Sequence, residues 1–297
     1  MATQFPSSYS AYADNNLTTL KLSHNPASSP TVTPVVVLTL YRPKNNNAFT
    51  RVMSDELVTT FELLDKDPRI KAIVITGHGR TFCAGADLEQ GFGKFGVGGG
   101  GGGGSEERKD LSGALGHIRK PTIAAINGAA VGIGITLTLP FSIRVAYKDA
   151  KIGFIFAKRG LVLEAGSTFY LPRMVGLSTA TYLATTGAIL KANDRRLEGI
   201  IAETLDTPEA TVKRAIEIAE DVSQNVSLVA GYACREMLLQ GNDTLESSKK
   251  METEVLSTLY SGKDLKEGVQ AFLQKRAPNF PATLEHDLPR GLPRSKI

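Results

Sequence analysis

Two stretches of small residues could do chemistry with their backbones rather than with their side chains. Arg80-Thr-Phe-Cys-Ala-Gly-Ala-Asp-Leu88 packs small residues where a chain must turn tightly and expose N–H groups. Such amides can hold an oxyanion, although Ala-Gly-Ala turns also arise from packing alone. Further on, Ala125-Ile-Asn-Gly-Ala-Ala-Val-Gly-Ile-Gly134 joins a strand to a small-residue helix start. Free N–H groups and the helix dipole favour negative charge there. Its glycines, at 128, 132 and 134, do not have the Gly-x-Gly-x-x-Gly spacing, and no Lys-Ser/Thr follows. Nucleotide phosphate binding is therefore disfavoured.

Composition narrows the rest. The 34 basic and 30 acidic side chains leave a formal charge of +4, without a Lys/Arg block or basic-aromatic interleaving, so no nucleic-acid partner is expected. Cys83 and Cys234 lie far apart, and His24, His78, His117 and His286 form no pair at helical spacing. A zinc site and a Ser-His-Asp triad both lack their ligands, no metal is expected, and a reduced compartment fits best. No apolar run approaches the ~18 residues that span a bilayer, and the N-terminus has no signal core. The last residues, Ser295-Lys296-Ile297, differ from the Ser-Lys-Leu peroxisomal address by one aliphatic exchange and follow a Pro/Arg-rich tail. A peroxisome and its import receptor are the expected destination and partner.

The elements that must position these stretches alternate. Residues 1–34 are polar and Pro-rich, and a loosely ordered lead-in is expected, with one strand near Leu17–Leu22. Pro34–Tyr41 is a β-branched run closed by Arg42-Pro43 turn chemistry. The helix after it has Thr50 or Ser54 as cap and apolar residues at Val52, Leu57, Phe61 and Leu64. Ala72–Thr76 and Thr122–Ile126 read as buried strands, with another near Ile143–Ala146. The rhythm predicts mixed α/β over residues 35–207. A helical region follows over 208–280, through Thr211–Val222, Leu228–Gln240, Thr244–Tyr260 and Asp264–Arg276, and residues 281–297 form a tail. A glycine run at 96–104 interrupts the core, read as a tolerated insertion or a mobile lid.

Phe82-Cys-Ala-Gly-Ala-Asp-Leu88 together with Ala124-Ala-Ile-Asn-Gly-Ala-Ala-Val-Gly-Ile-Gly134 resembles the enoyl-CoA hydratase/isomerase (crotonase) superfamily. The resemblance runs from about Val35 to Phe280 and takes in Tyr41-Arg-Pro with Asn47-Ala-Phe49. Ser295-Lys-Ile297 and the layout also resemble fungal peroxisomal members. It implies a spiral of strand-strand-helix units with a C-terminal helical oligomerisation region, a homotrimer or hexamer, an acyl-CoA thioester substrate and no separate cofactor. The thioester oxygen would sit between the amides of Ala86 and Ile133. CoA would lie along Ala84, Gly85, Ala86, Asp87, Leu88 and Gly132, with Lys275 meeting phosphate. Asp87 reads more naturally as a cap of the following turn, and Cys83 as packing.

The resemblance also indicates which reaction to expect. Hydratase members use two glutamates, whose positions here carry Thr136 and Phe156. Neither supplies a general acid or base. Arg159–Gly176 carries one carboxylate, Glu164, among apolar and small residues, and resembles the single-glutamate segment of 3-enoyl to 2-enoyl-CoA isomerases, with Leu163 where those have Pro. Partial burial would disfavour its ionisation and bring its basicity toward neutral pH. The alternative is a helix N-terminal Glu held by backbone amides. An isomerase is expected, with a hydratase or a non-catalytic acyl-CoA binder as the competing readings.

Overall fold

The computed structural model describes residues 5–90, 111–240 and 244–292. In chain order its elements are α1 (Tyr9–Asn16), β1 (Leu20–His24), β2 (Val35–Leu40), α2 (Arg51–Lys66), β3 (Ala72–Gly77), β4 (Thr81–Cys83) and α3 (Leu111–Gly116). Next come β5 (Thr122–Ile126), β6 (Ala129–Val131), α4 (Ile133–Thr136), β7 (Ile143–Tyr147), β8 (Lys151–Gly153) and α5 (Ser167–Thr186). The chain then runs through β9 (Ile189–Lys191), β10 (Glu203–Leu205), α6 (Pro208–Asn225), α7 (Leu228–Gln240), α8 (Leu245–Tyr260) and α9 (Lys263–Gln274). The expected mixed α/β class is the one found.

A six-stranded sheet in the order β1-β2-β3-β5-β7-β10 carries the molecule; only its β1–β2 edge is antiparallel. Its central strands are apolar along their length because both faces are covered, as parallel sheets require. Side-chain alternation sends Val36, Leu38, Ile73, Ile75, Ala124 and Ile126 into one core. Val35, Val37, Val74, Ile123 and Ala125 go to the other, where Ala215 and Ala219 of α6 meet them. A smaller sheet, β4-β6-β8-β9, holds both small-residue stretches.

Several details depart from expectation. Residues 9–24 are not a loose lead-in: α1 is capped by Ser8, and the Tyr9 hydroxyl donates to Asp67 at 2.9 Å. The strand expected near Leu17–Leu22 is β1, three residues later. Thr50, not Ser54, caps α2, accepting from the Met53 N–H at 3.1 Å. Val52 turns outward while Met53, Leu57, Val58, Phe61 and Leu64 form the buried stripe. Helix α6 packs on the six-stranded sheet, so the boundary expected after residue 207 falls inside the core. The glycine run at 96–104 and Ser295–Ile297 lie outside the described residues.

Candidate active site

The first amide is exposed by the way its turn is pinned. Beyond β4 the chain passes through Gly85, at φ +95°, into an isolated parallel bridge between Ala86 and Phe49. The Phe49 N–H donates to the Gly85 carbonyl at 2.8 Å, and the Asp87 N–H donates to the Phe49 carbonyl at 2.9 Å. In a parallel ladder these two bonds use the groups flanking Ala86, so its own N–H points to the opposite side. Asp87 is buried and committed: Arg42 Nη1 lies 2.9 Å from its carboxylate, which also accepts from the Glu89 N–H at 3.2 Å. It caps and anchors the turn, as its position in the sequence suggested. Ala84 and Leu88 stand exposed on either side.

The second amide opens α4. Residues 129–131, expected as a helix start, form β6 instead, because β4 and β8 flank them as partners. Gly132, at φ +58°, turns the chain; its N–H donates to Gly153 of β8 at 2.8 Å, and its carbonyl accepts from Ile135 and Thr136 at 3.1 Å each. Ile133 is the first residue of the helical turn, where an N–H has no preceding carbonyl to meet. Among the described residues neither the Ala86 nor the Ile133 N–H finds an acceptor.

Backbone contact holds the two turns together. A Cβ on Gly85 would stand 3.0 Å from the Val131 carbonyl, and one on Gly132 would stand 3.9 Å from the Gly85 Cα. At Gly134 a Cβ would fall 2.3 Å from the Cys83 carbonyl, a distance no substitution tolerates without movement. Cys83 itself is sealed in the core, and burial pushes its thiol up to about 12, which suits packing and not nucleophilic attack.

Glu164 lies on the loop between residues 157–159 and α5. Two left-handed residues, Ala165 (φ +53°) and Gly166 (φ +70°), carry the chain from it into the helix. Ser167 fastens that turn by donating both its N–H (3.0 Å) and its hydroxyl to the Glu164 carbonyl. The side chain is half-buried, and burial raises its pKa; among the described residues no backbone amide donates to its carboxylate. The reading as a helix-terminal Glu held by amides is therefore not realised. At the two remaining positions of interest, Thr136 is fully buried with its hydroxyl turned back to the Gly132 carbonyl at 3.3 Å, and Phe156 is 9% exposed.

Lys275 ends α9 in a left-handed conformation, φ +54°, and is exposed. Helix α9 packs on α8, and none of the described contacts links Lys275 to the amide pair. Its neighbour Arg276 is held by Glu267 at 2.5 Å. Sequence reasoning passed over Tyr170, Arg235 and Glu236. The signal was a charged pair inside the otherwise apolar stretch Leu228–Leu239. Among the described residues no group of His, Cys, Asp and Glu converges as metal ligands do, and no helix is long and apolar enough to cross a membrane.

Comparison with known proteins agrees with this geometry. The enoyl-CoA hydratase/isomerase family model matches residues 31–283. An enoyl-CoA hydratase of Alternaria alternata is 40% identical over 289 residues, covering 96% of this chain and 93% of that one. A 1,2-epoxyphenylacetyl-CoA isomerase of Escherichia coli is 33% identical over 83% of this chain and 94% of its own. The crystal structure of an enoyl-CoA hydratase from Bacillus anthracis superimposes with a TM-score of 0.74 at 26% identity, covering 89% of this chain and 99% of that one. With the family model matched over residues 31–283 and a relative 40% identical over 96% of the chain, the chain belongs to the enoyl-CoA hydratase/isomerase family.

Proposed function

We propose that the protein moves the double bond of a 3-enoyl-CoA to the 2-position by a proton shuttle on Glu164. The observation that carries this reading is the carboxylate inventory: one half-buried glutamate with a raised pKa, and a threonine and a phenylalanine where a water-adding pair would stand. The Glu164 carboxylate takes a proton from C2, and the C2–H electron pair flows into the thioester to give an enolate. The Ala86 and Ile133 N–H groups hold its oxygen, each worth about 3 kcal/mol by analogy with measured oxyanion holes. Glu164 then returns the proton to C4, the C3–C4 π bond shifts to C2–C3, and the thioester carbonyl reforms. No separate cofactor enters this sequence.

Hydration is the second reading, favoured by the name of the Alternaria relative. One assay separates the two. Incubated with a 3-enoyl-CoA, the protein is expected to accumulate the conjugated 2-enoyl ester, read by its near-ultraviolet absorbance. Faster formation of a 3-hydroxyacyl-CoA from a 2-enoyl-CoA would install the hydratase instead.

The assembly and the address extend the proposal. Leu265, Val269, Phe272 and Leu273 repeat at helical spacing on α9 and are exposed, which supports a homotrimer or hexamer closed by the C-terminal helices. Light scattering of Phe272→Glu beside the parent chain tests this. Ser295-Lys296-Ile297 supports peroxisomal import through its receptor. Loss of punctate fluorescence when a tagged chain lacks these three residues is the expected result.

A further inference from the structure

The peptide unit between Gly132 and Ile133 has two ends that do different things. Its N–H is the donor proposed for the thioester oxygen, and its carbonyl faces back into the turn. That carbonyl accepts three hydrogen bonds: from the Ile135 and Thr136 N–H groups at 3.1 Å each, and from the Thr136 hydroxyl at 3.3 Å. Each bond to a carbonyl polarises its peptide, so the N–H on the other side becomes a stronger donor. Thr136 is fully buried, which keeps bulk water away from its hydroxyl.

One peptide further on, the arrangement repeats. The Ile135 carbonyl accepts the Thr138 N–H at 3.0 Å and the Thr138 hydroxyl at 2.8 Å, and Thr138 is buried as completely as Thr136. The N–H of that same peptide unit belongs to Thr136 and donates to the Gly132 carbonyl. A chain of hydrogen bonds therefore runs from the Thr138 hydroxyl through the Ile135–Thr136 peptide to the Gly132–Ile133 peptide, and leaves at the Ile133 N–H.

A helical threonine that bonds back to the preceding turn is common, and alone it only holds the helix. Two observations set this pair apart. The hydroxyls land on successive peptides behind an amide, Ile133, that has no acceptor among the described residues. The rest of the turn is also fixed. Arg144 takes the Thr138, Leu139 and Phe141 carbonyls, Arg235 takes the Pro140 carbonyl at 2.7 Å, and the Gly132 N–H is tied to Gly153. Backbone movement cannot readily replace a lost hydroxyl there.

We propose that Thr136 and Thr138 are positioning residues for the oxyanion amide: their hydroxyls aim and polarise the Ile133 N–H, Thr136 directly and Thr138 through one further peptide. The inference rests on the reading of the Ile133 amide as a holder of the thioester. Thr136 then acts where a hydratase carries a carboxylate, not as acid or base but by strengthening the donor.

Infrared spectroscopy of a saturated acyl-CoA ester, isotope-labelled at the thioester carbonyl, tests this without turnover, because hydrogen bonding lowers the carbonyl stretching frequency. Binding to the parent chain is expected to lower it. Thr136→Val keeps the branched shape and leaves two donors on the Gly132 carbonyl. It is expected to lose part of that shift, Thr138→Val a smaller part, and Thr136→Ser is expected to restore it. With a 3-enoyl-CoA the same order is expected in kcat. Thr136→Val should lower it about two- to eightfold with KM little changed, as cooperativity of about 10–30% acts on a donor worth about 10²–10³-fold. In an Ile133→Pro background, which lacks the N–H, both valine substitutions are expected to do nothing further, whereas a merely structural role would persist there.

Parent-like frequency shift in both valine variants, a larger effect of Thr138→Val than of Thr136→Val, or full-sized effects in the Ile133→Pro background overturn the proposal while leaving the grip on the thioester intact. If the parent chain binds the ester without lowering the frequency, that grip falls and the proposal with it. If it lowers the frequency but does not turn over the 3-enoyl ester, the isomerase reading alone fails and the infrared series still decides.

Discussion

The two amide turns and the Glu164 loop are built on opposite principles. Ala86 and Ile133 are positioned by backbone against backbone: a bridge to Phe49, a bond from Gly132 to Gly153, and glycines at closest approach. Their side chains matter little to the chemistry. Glu164 is the reverse, one side chain on a loop that turns through two left-handed residues, with no hydrogen bond to its carboxylate among the described residues. Under the proposed function, the thioester would be held by backbone geometry, whereas the choice of reaction would rest on a single, locally placed side chain.

The sharpest way to break the comparison is Glu164→Gln. It is expected to lower isomerase kcat by about 10²–10⁴-fold while the protein still binds CoA esters. Unchanged turnover would remove Glu164 from the mechanism. Next in size is Ile133→Pro, which deletes one donor at the first helical position, where proline is tolerated. The expected loss is about 10²–10³-fold in kcat, against less than about tenfold for Ile133→Ala as packing control. Equal losses in the two variants would mean that the amide is not used.

Two smaller effects sharpen the contrast. Gly134→Ala drives a methyl group toward the Cys83 carbonyl and is expected to cost about 1–3 kcal/mol in chemical denaturation, with Gly79→Ala, where the space is open, as a control dominated by its backbone conformation. The mildest effect concerns pH. Burial raises the Glu164 pKa, so the folded chain binds that proton more tightly than the unfolded one. Its contribution to stability is therefore fullest at low pH and is lost as pH rises through the folded value. Glu164→Gln should raise Tm at neutral pH and leave it nearly unchanged in acid. The wild-type kcat/KM should fall as pH drops through the same raised value, because only the ionised carboxylate is a base.

Much of the fold was legible because the strands Val35–Leu40, Ala72–Gly77 and Thr122–Ile126 are apolar but for a threonine each, and α2, α6, α8 and α9 carry helical patterns. The short strands β8 to β10 and the long α5, with Pro172 inside it and a kink at Gly176, were not. Three-residue strands have no periodicity to read, and α5 owes its form to the packing of its ends. Within the site, the small-residue turns and the lone carboxylate were visible as patterns, and the family resemblance singled out Ala86, Ile133 and Glu164 in them. The capping role of Asp87 was legible too, but not its partner Arg42, which lies 45 residues earlier in the chain.

The sequence by itself indicated that two small-residue turns could present amides and that one glutamate would stand among apolar neighbours, and its resemblance to the family put Thr136 and Phe156, neither an acid nor a base, at the two hydratase positions. Only the tertiary structure decided that the turns touch at Gly85, Gly132 and Gly134, that burial raises Glu164 with no amide to offset it, and that Glu236 belongs to a core stripe. The reason is physical: turn conformation follows from neighbouring residues, whereas desolvation and backbone contact depend on segments brought together from far along the chain.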